Sequence, residues 1–319
     1  MRQETVRRLV SLALLFLLLI ILGTTSSSFL SLPNLLTLLR EASIVGIVAV
    51  GMTFVLIAAG IDLSVGAVLA FVSMLSANLL YSTTFPVPVI LFLGTVVGVA
   101  AGLVNGVLIT RLHLPDFIAT LASQGIFRAL TLIFAIRTNG LISNKVINNE
   151  DFLALAGNTG GLYFVTLAFL LVAVTGQVIL KRTKFGLHLY AVGAHRKSAE
   201  LSGINSNFLR IAAYGISGFC CALAAFFLTA KMETAIPDIG LGLEFDVIAA
   251  VVIGGCAFTG GRGDALGSLI GALFMATLTN GLYKFNMPSS VQVMLKGFVI
   301  ISMVIFDAVY RHEVRREKR

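Results

Sequence analysis

The chain has 319 residues, of which 57% are hydrophobic and 12% charged. Soluble domains carry about 25% charged residues, so a soluble fold is excluded; at about 20 apolar residues per span, this length suits about ten spanning helices. The net charge of +8 follows from Lys and Arg retained in cytoplasmic loops, which removes the case for nucleic-acid binding.

Taken in chain order, Arg7-Arg8 followed by the apolar run Ser11–Gly23 looks like the front of a signal peptide, with Ser26-Ser27-Ser28 placed as a cleavage site would be. Because many spans follow, an uncleaved first helix over 8–23 is expected, with its N-terminus inside. Further spans are expected at 42–60, 63–81, 87–110, 115–136, 162–180, 208–229, 245–258, 264–283 and 290–308. The fold class is therefore an all-α polytopic membrane protein, one transmembrane domain over 1–319, with both termini cytoplasmic. Charge supports that orientation. Inside segments hold Arg2, Arg7, Arg8, Arg111, the basic stretch Lys181–Arg210, Arg262 and the tail from Arg311 to Arg319. Outside segments hold Arg40, Arg137, Lys145, Lys231 and Lys284.

Two blocks are irregular. The block 245–258 is short and runs into Thr259-Gly260-Gly261-Arg262-Gly263, and 42–60 ends at Ala59-Gly60-Ile61-Asp62 without a loop. Broken helices in a bilayer survive where protein or a cavity shelters the backbone, so they point to a translocation path. The run Gly60–Ala67 can also be laid on Arg262–Ser268, each with an Asp opening a small-residue helix. A pseudo-symmetric internal repeat is expected from this match.

Polar residues inside the blocks are the candidate path: Asp62, Asn105, Thr120 and Gln124. Asp62 and Asp264 either contact solute or cap the helix that follows, and capping is the expected role; Asp116 after Pro115 fits the same logic. Asn105 serves equally as interface glue or as a solute contact. Thr120, Gln124 and Arg128 share one helix face, while Lys296 either snorkels or pairs within the bundle. Gly94, Gly98, Gly102 and Gly106 recur every fourth residue, a face that lets another backbone approach. So few charges cross the core that a neutral polar solute fits better than a coupled cation.

The chain lacks a phosphate-binding loop and the motifs H-E-x-x-H, C-x-x-C and G-x-S-x-G. It is expected to be no enzyme, to bind no metal and to hold no cofactor of its own. Cys220, Cys221 and Cys256 read as small buried hydrophobes, and His113, His188, His195 and His312 as solvated residues near cytoplasmic ends. Within Lys181–Arg210, residues 195–202 are expected to form a short amphipathic helix ended by Gly203. Such a helix can sit in the groove of a partner.

The run Arg182–Ile204 resembles the cytoplasmic loop of ribose-type permeases of ATP-binding-cassette importers, which read T-x-F-G-x-x-x-Y-A-x-G-x-x-x-x-A-A-x-x-S-G-I. Val50–Thr53 with Gly60–Gly66, Gly102–Gly106, Pro115–Ala122, and Val252–Gly255 with Gly260-Gly261 resemble the same family, from about residue 40 to the last span. The resemblance implies a bacterial inner-membrane permease for a monosaccharide or similar small polar solute. It implies a second permease subunit, identical or paralogous, a separate ATPase with two nucleotide-binding cassettes that holds the ATP, and a periplasmic sugar-binding protein. By similarity, Gly186, Ala199, Glu200 and Gly203 belong to the loop that docks on the ATPase. Lys197-Ser198 departs from the pattern, where a small residue commonly precedes Ala199-Glu200. The competing reading is a secondary transporter driven by an ion gradient, which needs titrating groups at mid-membrane; a membrane enzyme fails for want of a catalytic cluster.

Overall fold

A computed structural model describes residues 2–25, 28–136 and 140–316, with side chains placed within those stretches from residue 9 to 302 and at 305. Ser26-Ser27, Arg137, Lys318 and Arg319 lie outside the described residues, as do the side chains of Arg2, Arg7, Arg8, Arg311, Arg315 and Arg316. The helices among the described residues are α1 (Arg2–Thr25), α2 (Leu32–Ile57), α3 (Val65–Ser82), α4 (Val87–Arg111), α5 (Asp116–Ala135), α6 (Glu150–Leu153), α7 (Phe164–Arg182), α8 (Lys184–Ala194), α9 (Arg196–Leu201), α10 (Ser206–Met232), α11 (Leu243–Ile253), α12 (Ala265–Lys284) and α13 (Ser289–Arg316). Among the described residues, two-residue strands sit in the connections: β1 (Lys145–Val146) pairs antiparallel with β4 (Thr234–Ala235), and β2 (Asn158–Thr159) with β3 (Leu162–Tyr163).

Among the described residues, seven helices (α2, α3, α4, α5, α7, α10 and α12) are long and apolar enough to cross a bilayer. The three other expected spans fall on α1, α11 and α13. At 11 residues, α11 extends only about 16 Å, roughly half of the ~30 Å hydrocarbon core. It ends where Gly254-Gly255 break the helix, as the short apolar block predicted.

Helix α2 is the axis of the bundle. It packs on α7, α10, α11 and α12, and residues 46–57 are buried without interruption. A helix that is apolar on all sides belongs inside. By contrast, α4, α5 and α7 present Phe92, Ile126 and Leu171 outward, as helices at a lipid boundary do. The glycine face of α4 meets α10 as expected: a Cβ on Gly102 would lie 2.0 Å from the Tyr214 carbonyl oxygen, and one on Gly218 2.0 Å from that of Gly98.

One boundary is corrected. α2 begins at Leu32, ten residues before the expected 42, so Arg40 and Glu41 lie within a helix rather than an outer loop. Pro33 suits a first helical turn, and both charges find partners. Arg40 donates to the Ala156 carbonyl (3.3 Å) and lies over the Tyr163 ring, and Glu41 pairs with Lys231.

Contacts separate into two ends. At one end the β1–β4 pair, Lys231–Glu41, Asn34–Asn280 and Lys284–Ser28 join the segments around 28–41, 140–163, 231–242 and 280–288. At the other, α8 lies against the breaks at 57–64 and 254–264, with α9 following it.

Candidate functional site

The first break, between α2 and α3, is built around Asp62. Its Oδ1 accepts from the Ser64 amide (3.0 Å) and hydroxyl (2.6 Å), and its Oδ2 accepts from the Ser217 hydroxyl of α10 (2.9 Å). Ser64 Oγ accepts in turn from Asn105 Nδ2 on α4 (2.9 Å), and Asn105 Oδ1 from the Ser123 hydroxyl on α5. One buried network thereby joins the break to three helices. Asp62 is 2% exposed and Asn105 fully covered. The capping role expected of Asp62 is corrected: Ser64 is the N-cap of α3, and Asp62, two residues earlier, accepts from the Ser64 amide from outside the cap position. At the second break Asp264 is the N-cap of α12 and accepts from the Gly267 amide (2.8 Å).

Beside this network a second polar cluster closes the gap between α5 and α10. Asp116 Oδ2 accepts from Arg210 (2.5 Å) and from the Tyr214 hydroxyl (3.0 Å), which also reaches the Ile61 carbonyl oxygen (3.0 Å). Arg210, expected in a basic loop, is an interior partner with 10% of its side chain exposed. Removing one member of a buried pair costs about 3–5 kcal/mol. Asp116→Ala is therefore expected to lower the melting temperature of the detergent-purified chain by several degrees, whereas substitution of exposed Lys197 leaves it unchanged.

The Thr120–Gln124–Arg128 face of α5 divides. Thr120 is buried and its hydroxyl donates to the Asp116 carbonyl (2.9 Å). Gln124 Nε2 donates to Glu244 Oε1 on α11 (3.1 Å), and Arg128 donates to the carbonyls of Pro237 (2.8 Å) and Ile239 (3.1 Å). Gln124 and Arg128 thus hold the approach to the half-helix α11. Glu244 was not singled out in the sequence; the polar stripe opposite it was the available signal. Lys296 pairs with Asp246 on α11 (2.7 Å), the second of the two roles open to it in the sequence.

The basic stretch forms α8 and α9. Thr183 caps α8 through the Gly186 amide (3.2 Å), and a Cβ on Gly186 would lie 2.1 Å from the Leu180 carbonyl oxygen. His195 caps α9, accepting from the Ser198 amide through Nδ1 (3.3 Å), and Gly203 ends it at φ +82°. The predicted helix over 195–202 is therefore present as α9. Ala199 is buried against the bundle, while Leu201 is 90% exposed. Glu200 accepts from Arg196 (2.9 Å) and from the Ser206 hydroxyl. Ser206 and then Arg196 hold its carboxyl below the usual glutamate range, so it presents a fixed negative charge.

The tightest contact in this region was not singled out in the sequence. A Cβ on Gly193, near the end of α8, would sit 1.7 Å from the Ile57 carbonyl oxygen and 2.7 Å from the Gly261 nitrogen. The same Ile57 carbonyl accepts from the Gly261 amide (2.9 Å), and the Tyr190 hydroxyl donates to the Gly263 carbonyl (2.6 Å). α8 is thus wedged against both helix breaks at once.

Residues 34–304 match the family described as branched-chain amino acid transport system, permease component. The chain is 41% identical over 294 residues to the ribose import permease protein RbsC of Bacillus subtilis, covering 92% of this chain and 90% of that protein. It is 34% identical over 311 residues to the fructose import permease protein FrcC of Rhizobium meliloti, covering 93% and 84%. It is 33% identical over 297 residues to the D-allose transport system permease protein AlsC of Escherichia coli, covering 92% and 89%. With a family match over most of its length and relatives more than 30% identical across nine-tenths of it, the chain belongs to this permease family.

Proposed function

We infer that the chain is the membrane-spanning permease subunit of an ATP-binding-cassette importer, carrying a monosaccharide or similar small polar solute across a bacterial inner membrane. The carrying observation is near full-length similarity to permeases named for ribose, fructose and allose import. ATP is bound by a separate ATPase with two cassettes, a periplasmic sugar-binding protein delivers solute, and a second permease subunit completes the path. The chain itself catalyses no reaction.

Ten crossings with both termini cytoplasmic are supported by the two-ended distribution of contacts, with the α8–α9 end inside. The matched breaks at Asp62 and Asp264, each accepting an amide two or three residues on, support a duplicated half. α9 is the element that meets the ATPase, with Glu200 and Leu201 on its exposed side and Gly186, Ala199 and Gly203 fixing its place. ATP binding displaces α9; α8 passes the movement through Gly193 to both breaks, and the bundle exchanges outward and inward openings. Solute biases that exchange only through unequal affinity for the two states. Asp62, Asn105, Thr120 and Gln124 hold the helices that move, and Gln124 is the one closest to α11.

Charge reversal at the docking helix tests this reading. Glu200→Arg is expected to leave membrane insertion intact and to reduce ATP-dependent sugar uptake to background in vesicles. Unaltered uptake would remove Glu200 from the coupling surface.

A further inference from the structure

Helix α11 packs chiefly on α2, α12 and α13, whereas α5 packs on α3 and α4. The bond from Gln124 Nε2 to Glu244 Oε1 (3.1 Å) crosses from one set of helices to the other. It lies near the middle of α5. Arg128 follows Gln124 by one helical turn, toward the end of α5 that is farther from α8 and α9.

Two atoms beside this bond lack partners. Glu244 Oε2 and Arg128 Nη2 are both buried, with no hydrogen-bond partner among the described residues. Oε2 lies against the α3 backbone at Gly66, while Arg128 donates through Nη1 to the carbonyls of Pro237 and Ile239 (2.8 and 3.1 Å). An unpartnered polar atom is costly to bury. One of these atoms accepts and the other donates, so a single movement that joins them satisfies both. Glu244 is also the carboxylate that acts most strongly on Arg128, ahead of exposed Asp238.

The chain leading into α11 permits that movement. A Cβ on Gly66 would lie 2.3 Å from the Gly240 carbonyl oxygen, so the loop is pinned to α3 at that point. Gly242, the N-cap of α11, has a left-handed backbone (φ +79°) and open space where a side chain would be. Leu241, between the two glycines, is 71% exposed. Toward its other end α11 is fixed to α12, where a Cβ on Gly271 would lie 1.8 Å from the Ala250 carbonyl oxygen. Helices α11 and α12 therefore shift together, with Gly242 as the hinge and the loop held still by Arg128 and Gly66. The spacing of Gln124 and Arg128 limits the step to one turn, about 5.4 Å, the size of a ratchet of one helix past another.

We propose that Gln124, Glu244 and Arg128 form a two-position latch: Glu244 bonds Gln124 in this structure and Arg128 in the other state of the transport exchange. The latch rests on the importer reading and deepens it. Glu244 and Arg128 are positioning residues that set where α11 stops, without touching solute.

The test exchanges two side chains. Gln124→Glu combined with Glu244→Gln keeps an amide facing a carboxylate across the same contact, but it puts the carboxylate on α5 beside Arg128. Movement of α11 then brings Arg128 no new partner. Melting of the full chain in nanodiscs is measured beside ATP-dependent uptake of D-ribose, D-fructose and D-allose by the complete importer. The exchanged chain is expected to melt as the wild type does and to take up sugar at least about tenfold more slowly, within the usual range of a coupling between two states. Glu244→Gln, which keeps an acceptor for Gln124, is expected to behave in the same way and serves where the exchange does not fold. Adding Arg128→Gln to Glu244→Gln should lower uptake no further, because one step is lost only once. An exchanged chain that transports at the wild-type rate overturns the latch, since a static bond then suffices in either orientation. Exchanged and Glu244→Gln chains that both melt well below the wild type overturn it too, by making the carboxylate structural. So does a double variant whose loss is the product of the two single losses. Absence of ATP-dependent uptake by the wild-type importer is instead a failure of the importer reading, and the latch falls with it.

Discussion

Gly193→Ala is expected to abolish sugar uptake while the chain still inserts and binds its ATPase. The added methyl would lie 1.7 Å from the Ile57 carbonyl oxygen, and 2.7 Å from the Gly261 nitrogen. Both neighbours are backbone, so no side-chain rotation relieves the clash. Overpacking of this kind costs about 1–3 kcal/mol or more, and here the strain falls on α8, the end of α2 and the second break together. Either α8 lifts off the breaks or the breaks shift. In both cases movement of α9 no longer reaches the bundle in register. Measured together in proteoliposomes, ATP hydrolysis should persist while uptake falls by at least about tenfold, a change equivalent to about 1.4 kcal/mol. Hydrolysis and uptake falling in parallel would instead mean that Gly193 acts on assembly. Gly203, with nothing near its missing side chain, is the contrast: its constraint is the left-handed backbone at φ +82°, and Gly203→Asn is expected to be tolerated.

The second large effect is at Asp62. Asp62→Ala leaves the Ser64 amide, the Ser64 hydroxyl and the Ser217 hydroxyl without their acceptor in a region closed to water. At about 1–3 kcal/mol for each unsatisfied buried group, the loss should be several kcal/mol. Asp62→Asn retains one acceptor oxygen and should cost less. The chain has no tryptophan, but Cys220, Cys221 and Cys256 are free and buried, so a thiol-reactive dye reports its unfolding directly. A lowered melting temperature ordered Ala below Asn below wild type is the expected outcome. Normal melting of Asp62→Ala with lost uptake would instead make Asp62 a solute contact.

Much of the fold is legible in the sequence because bilayer thickness imposes a length on each apolar block, and the half-length block at 245–258 could be recognised as α11 by the same measure. The glycine ladder on α4 and the short helix ended by Gly203 are legible for a similar reason: helical periodicity and backbone preference are local properties. What escaped depends on distant partners. Arg40 and Glu41 read as an outer loop until Lys231, Tyr163 and Ala156 are brought to them by the fold. Glu244 gains its meaning from Gln124, 120 residues away, and Asp246 from Lys296, 50 residues away. Gly193 is the glycine of Y-A-x-G in the loop pattern that Arg182–Ile204 resembles, but the pattern carries no reason for it. Its constraint comes from two helix breaks far off in the chain, and it is visible only once α8 lies across them.

The central claim is that uptake through this chain is driven by ATP hydrolysed on a partner. The most direct measurement is solute uptake by the complex purified from native membranes and reconstituted in vesicles with its sugar-binding protein, with ATP and ion gradients imposed separately. The expected result is uptake that requires ATP at the cytoplasmic face, persists when ionophores collapse every gradient, and accompanies a co-purifying ATPase in fixed proportion. Uptake by the chain alone that follows an imposed proton or sodium gradient without ATP would contradict that claim and make the protein a secondary transporter.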